Sequence, residues 1–145
     1  MNNSHYYETT VTWTEGRKGI LSEPTLHNIE VATPPEFPKG VPNIWSPEHL
    51  FVASVNICLM TTFLAIAENS KLEFSSFKCN AKGKLDKVEN GYMITEIELY
   101  PEVTVNSEKD KERAERIVQK AEQHCLISNS IKSEIKLFPK INLSL

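Results

Sequence analysis

Eighteen consecutive residues, Leu50 to Ala67, carry no charge. A run of that length and character has two ordinary fates, a membrane span or a helix wrapped in protein. Its interruptions, Ser54, Asn56, Thr61 and Thr62, and its brackets, Glu48 and Glu68, favour the second, so no membrane partner is expected. Ser46-Pro47-Glu48 supplies the helix start: a hydroxyl N-cap, a proline where no N–H is needed, and a carboxylate against the positive end of the dipole. The pattern predicts a helix to about Asn69, apolar or small on nearly every face and therefore buried all round. One subunit of 145 residues has little protein with which to surround such a helix, so a second subunit is expected.

A chain of this length fits a single domain, 1–145, around one core. Tyr6 to Thr14 reads as a strand, with Tyr7, Val11 and Trp13 on one alternating face. A hairpin through Gly16 and Gly19 follows, and Asn28 to Ala32 resumes the extended pattern. Thr33 to Pro47 holds five of the eight prolines and reads as a loop. Ser75 to Leu85 and Tyr92 to Val105 form a second hairpin, with Asn90-Gly91 expected to take the positive φ angles of its turn. Ser107 caps a second helix, whose Ala114, Ile117, Val118 and Ala121 make a core stripe and whose Arg113 and Arg116 fall on the exposed face. That helix should break near His124-Cys125, before a helical turn around Ser128 and a last strand through Ile135 and Leu137. The order predicts an α+β class in which helices cover an antiparallel sheet.

Sixteen basic against 19 acidic residues, a net charge of −3, leave no electrostatic footprint for nucleic acid. Met1 to Thr10 lacks the basic start and apolar stretch of a secretory signal, so a cytoplasmic protein is expected. The three cysteines are odd in number and widely spaced, which suggests neither a disulfide framework nor a zinc site. No histidine stands at metal-ligand spacing from them, and no metal or cofactor is expected.

A cysteine nucleophile works as a thiolate and needs a nearby cation or helix N-terminus. Cys58 lies mid-helix, Cys125 at a helix end, and Cys79 in an amphipathic strand in phase with Phe77 and Ala81. Each can also be read as a small core residue, Cys79 most readily. Arg17, in a glycine-flanked turn, is the arginine placed to meet a carboxylate or thiolate, because its fork binds both and stays charged.

The run Trp45-Ser46-Pro47-Glu48-His49-Leu50-Phe51-Val52-Ala53-Ser54-Val55-Asn56-Ile57-Cys58 resembles the helix of the OsmC/Ohr family of osmotically inducible and organic hydroperoxide resistance proteins. In that pattern a cysteine follows Pro-Glu by ten positions. His124-Cys125-Leu126-Ile127-Ser128-Asn129 resembles the second motif of the family, with Leu126 where a proline is usual. The resemblance implies an OsmC-like fold, an intertwined homodimer with the long helices at its centre, and a peroxide site at the subunit interface. It further implies that Cys58 is peroxidatic and Cys125 resolving, with Arg17 and Glu48 the polar pair and Lys39 in the proline-rich loop the alternative cation. Ten residues on a straight helix span about 15 Å and end about 80° off the same face. Glu48 therefore reaches Cys58 only through a kink or from the other subunit.

The implied activity is a thiol peroxidase. Cys58 attacks an organic hydroperoxide, its sulfenic acid condenses with Cys125, and a dithiol, such as one on a lipoylated protein, reopens the disulfide. Phe51, Leu59, Met60 and Phe63 would favour alkyl or lipid peroxides. The alternatives are an apolar-ligand-binding or redox-sensing dimer without turnover, and a purely structural dimer.

Overall fold

The computed structural model describes residues 3–144. Met1 and Asn2, part of the polar N-terminal reading, and Leu145 lie outside the described residues. The chain forms two compact units, one up to Leu50 and one from Phe51.

The first unit is an antiparallel sheet of β1 (Thr10–Glu15), β2 (Lys18–Glu23) and β3 (Leu26–Ala32), in that order. β1 starts at Thr10, later than the alternation from Tyr6 suggests, because Thr10 pairs with Ser22 near the end of β2 and earlier residues find no ladder. The proline-rich loop is irregular as expected, closed by Val41 N–H to Thr33 O (2.9 Å) and Ala32 N–H to Trp45 O (2.9 Å). Lys39 and Asn43 take left-handed φ angles of 64° and 66° within it. At its end Ser46 caps the long helix α1 (Pro47–Asn69), its Oγ accepting the His49 N–H at 3.1 Å. The apolar run from Leu50 lies inside α1, which is unbroken and long and apolar enough to cross a membrane by length and composition.

The second unit holds most of α1, then β4 (Ser76–Val88), β5 (Gly91–Val105), α2 (Glu108–Gln123), a 3₁₀ turn at Ser128–Ser130, β6 (Glu134–Leu137) and β7 (Lys140–Leu143). β4 pairs antiparallel with β5, whereas β6 and β7 both pair parallel with β5. The architecture is α+β as expected, but this sheet is mixed and not antiparallel throughout. α2 is a crossover helix that returns the chain in the direction of β5, and a parallel neighbour requires such a connection. Pro139, which has no N–H for a ladder, separates β7 from β6; β7 was not foreseen. In the β4–β5 hairpin only Gly91 has positive φ (133°), pairing with Val88, so the turn residues are Glu89-Asn90 and not Asn90-Gly91.

One core joins both helices to the sheet. Val55, Leu59, Phe63 and Ala67 of α1 meet Ile97, Leu99, Val103 and Val105 of β5 and the predicted stripe Ala114, Ile117, Val118 and Ala121 of α2. The Phe63 ring lies 5.2 Å from that of Phe74 and 4.9 Å from that of Phe77. α1 approaches β4 so closely at Gly83 that a Cβ there would clash with Val52 Cγ2. Burial of α1 is one-sided: Ile57, Met60 and Leu64 are 56%, 37% and 41% exposed. One sheet can cover only one face of a helix, and the expected burial all round is not met within a single chain. Arg113 also departs from the surface role expected of it: it pairs with Asp110 at 2.8 Å and donates to the Ser70 carbonyl, tying α2 to the end of α1, while Arg116 is exposed.

Candidate thiol site

Cys58 lies on the inward face of α1 with Val55, Leu59 and Phe63, and is 8% exposed. Cys125 is completely buried in the connection between α2 and the 3₁₀ turn. That connection is tightly closed. His124 N–H bonds Lys120 O (3.1 Å), Cys125 N–H bonds Glu122 O (3.2 Å), Asn129 N–H bonds Cys125 O (3.1 Å), and Ser130 Oγ donates to Leu126 O (2.7 Å). The closure brings the Cys125 thiol near enough to Cys58 for each to act on the ionisation of the other.

The two thiols are pushed in opposite directions. Burial raises Cys58, but the Cys125 thiol, the Ile127 N–H, the Thr62 hydroxyl and the Leu126 N–H all favour its thiolate, and the net shift is downward. The Thr62 Oγ1 stands 3.9 Å from Cys58 Sγ. Cys125 is raised by burial and by its role as donor to Cys58, against which the Ser128 hydroxyl and N–H act. The pair is thus polarised: Cys58 tends to the thiolate and Cys125 keeps its proton. Cys79, on β4, is pushed up to about 11 by burial, with the Glu122 charge adding to the shift. It is a poor nucleophile near neutral pH.

Several members of this site were not foreseen. Thr62 was readable in principle, since i and i+4 share a helix face. The N–H groups of Leu126 and Ile127 carry no sequence signal. Leu126 keeps the N–H that a proline lacks, so the departure from the family pattern adds a donor beside Cys58. Glu122 did leave a trace, because an acid in the last turn of a helix opposes the dipole. Its carboxyl is raised by burial, partly countered by the Ser128 hydroxyl.

The other two expected site residues belong to the first unit. Arg17 is exposed in the β1–β2 turn and lines a cavity of about 380 Å³ with Glu15, Gly16, Lys18, Lys39 and Val41. The two cations weighed from sequence, Arg17 and Lys39, therefore share one cavity. Lys18 is paired with Glu15 at 3.2 Å. Glu48 Oε1 is buried without a hydrogen-bond partner in the first turn of α1. His124 is exposed, and His49 Nδ1 sits 2.7 Å from the capping Ser46 Oγ.

Residues 40–139 match the family model described as OsmC-like protein. The chain is 21% identical over 136 residues to the uncharacterised Bacillus subtilis protein YmaD, covering 92% of this chain and 91% of that protein. It is 33% identical over 92 residues to the peroxiredoxin OsmC of Escherichia coli, covering 63% of this chain and 64% of the peroxiredoxin. Among solved structures, an OsmC-like protein of unknown function from Vibrio cholerae superposes with a TM-score of 0.84 at 25% identity, covering 94% of this chain and 99% of the other. An organic hydroperoxide resistance protein from Elizabethkingia anophelis gives 0.74 at 24% identity, covering 97% and 99%, a likeness of fold.

Proposed function

The chain belongs to the OsmC-like protein family, and on that premise we propose that it is a thiol peroxidase that reduces organic hydroperoxides. The observation that carries the reading is the polarised cysteine pair, one member tending to thiolate and the other kept protonated beside it. The Cys58 thiolate attacks the peroxide oxygen, the O–O bond breaks, the alkoxide takes a proton to leave as an alcohol, and Cys58 becomes a sulfenic acid. The Cys125 sulfur then attacks Cys58, water leaves and a disulfide forms. A dithiol, such as one borne by a lipoylated protein, reduces it by exchange.

Arg17 and Glu48 are proposed to complete the polar side of the site. The Glu48 Oε1 is buried and unpaired, and Arg17 is exposed and in no ion pair among the described residues. An orphaned buried carboxylate oxygen costs about 1–3 kcal/mol and calls for a partner that arrives with substrate or a second chain. The exposed stripe Ile57, Met60 and Leu64 favours a homodimer through α1, with Glu48 supplied across the interface. Residues 1–145 would then work as one cytoplasmic domain. Selection for alkyl peroxides falls less to Leu59 and Phe63, which are locked in the core, than to Met60 and the 67%-exposed Leu126 beside Cys125.

The test is consumption of cumene hydroperoxide by the purified protein with excess dithiothreitol, beside Cys58→Ser. Turnover that disappears in the variant is expected. Turnover that persists in Cys58→Ser ends this reading, and none in either protein moves the assignment to a ligand-binding or redox-sensing dimer.

A further inference from the structure

The resolving step has a requirement that the polarised pair does not meet by itself. Cys125 must lose its proton before its sulfur can attack, yet its surroundings hold the proton in place. A proton acceptor is needed next to it.

The segment Glu122 to Ser130 contains one. Cys125 N–H is bonded to Glu122 O (3.2 Å) and Cys125 O accepts from Asn129 N–H (3.1 Å), which closes residues 122 to 129 into one turn around Cys125. Glu122 Oε1 and Ser128 Oγ are both buried with no partner at full hydrogen-bonding distance. Two orphaned polar atoms within one short segment are unusual, because burial without a partner costs free energy that folded chains generally avoid. The Ser128 hydroxyl nevertheless lies close enough to favour the charged form of both the Glu122 carboxyl and the Cys125 thiol. Ser128 thus acts on both the Glu122 carboxyl and the Cys125 thiol, and Cys125 in turn acts on Cys58.

We propose that Glu122 is a positioning residue for the resolving step, accepting the Cys125 proton through the Ser128 hydroxyl. This rests on the peroxidase reading for its role in turnover, but the proton relay itself can be tested without peroxide. In the step, Ser128 Oγ takes the proton from Cys125 Sγ and passes its own to the Glu122 carboxylate. The Cys125 sulfur forms the S–S bond as the S–O bond of the Cys58 sulfenic acid breaks. The departing hydroxide is protonated by solvent, and Glu122 later returns its proton to solvent. The net change is a sulfenic acid and a thiol going to a disulfide and water.

The chemistry of Glu122 suits the task. Burial raises its carboxyl above the ordinary value, which narrows the gap to the thiol it serves. The titratable groups facing it are the Cys79 thiol on β4 and, through Ser128, Cys125. Cys79 remains protonated near neutral pH and so neither competes for the proton nor repels the charge.

The test uses Glu122→Gln and Ser128→Ala in a Cys79→Ser background. Cys58 is first converted to its mixed disulfide with thionitrobenzoate, and release of thionitrobenzoate as Cys125 closes the disulfide is followed from pH 5 to 9. Closure slowed tenfold or more in both variants is expected, with loss of the limb of the pH profile that reports the base and no change in the first labelling rate of Cys58. Closure at the parental rate, or slowed equally at every pH, overturns the proposal. In parallel, Cys58 sulfenic acid is trapped with dimedone after cumene hydroperoxide, and should accumulate in Glu122→Gln. Slowed closure with no sulfenic acid in any protein would end the peroxidase reading and leave the relay standing.

Discussion

Replacing Leu126 with proline, the residue usual at that position in the family pattern, should weaken the thiolate and not improve it. The Leu126 N–H is one of the groups that favour the Cys58 thiolate, and it makes no backbone hydrogen bond among the described residues. Proline removes that N–H and little else, since Cys125 before it is outside the helix and no backbone bond is lost. A hydrogen bond of this kind contributes about 0.5–1.5 kcal/mol net. At about 1.36 kcal/mol per tenfold, that is about a 2- to 13-fold loss in the ratio of thiolate to thiol. The assay is the rate of alkylation of Cys58 by iodoacetamide as a function of pH, read by mass analysis of the Cys58 peptide. Leu126→Ala, which keeps the N–H, is the reference. Leu126→Pro should react more slowly on the acid side and its profile should move to higher pH, with the thermal melt of the two variants alike. Coincident profiles would refute the assignment of Leu126 N–H as a donor to Cys58.

Cys79 gives a pH dependence of opposite sense. Its thiol ionises near 9.0 in an unfolded chain but is pushed up to about 11 in the fold, so its contribution is complete below pH 9 and is lost as pH rises from 9 to 11. Urea midpoints should fall across that window, and Cys79→Ser should flatten the fall; an unchanged slope would sink the reading. Phe63→Ala, at a fully buried ring between Phe74 and Phe77, should cost about 3–5 kcal/mol in urea denaturation, and a cost near zero would mean that α1 is not seated on this core. Leu64→Glu puts a charge on the exposed stripe of α1 without touching the core; light scattering should report a shift from dimer to monomer, and an unaltered dimer would place the interface elsewhere.

What the sequence determined was local. Ser46-Pro47 set the start of α1, Ser107 the start of α2, and the stripe Ala114, Ile117, Val118 and Ala121 its buried face, because capping and helical periodicity act within a few residues. The two cysteine motifs were legible for the same reason, as short patterns of residue type. Tertiary structure decided everything that depends on chain return. The parallel pairing of β6 and β7 with β5 follows from the path of α2 across the sheet, which no local pattern encodes. The one-sided burial of α1 follows from the presence of a single sheet to cover it, while composition alone described a helix apolar on all sides. The downward shift of the Cys58 thiol is the extreme case. Its residue type announced a thiol, but the N–H groups of Leu126 and Ile127 and the thiol of Cys125 come from more than sixty positions away, and only the closed turn after α2 brings them to the sulfur. Electrostatic environment is set by distance in space, and distance in space is what a sequence by itself does not carry.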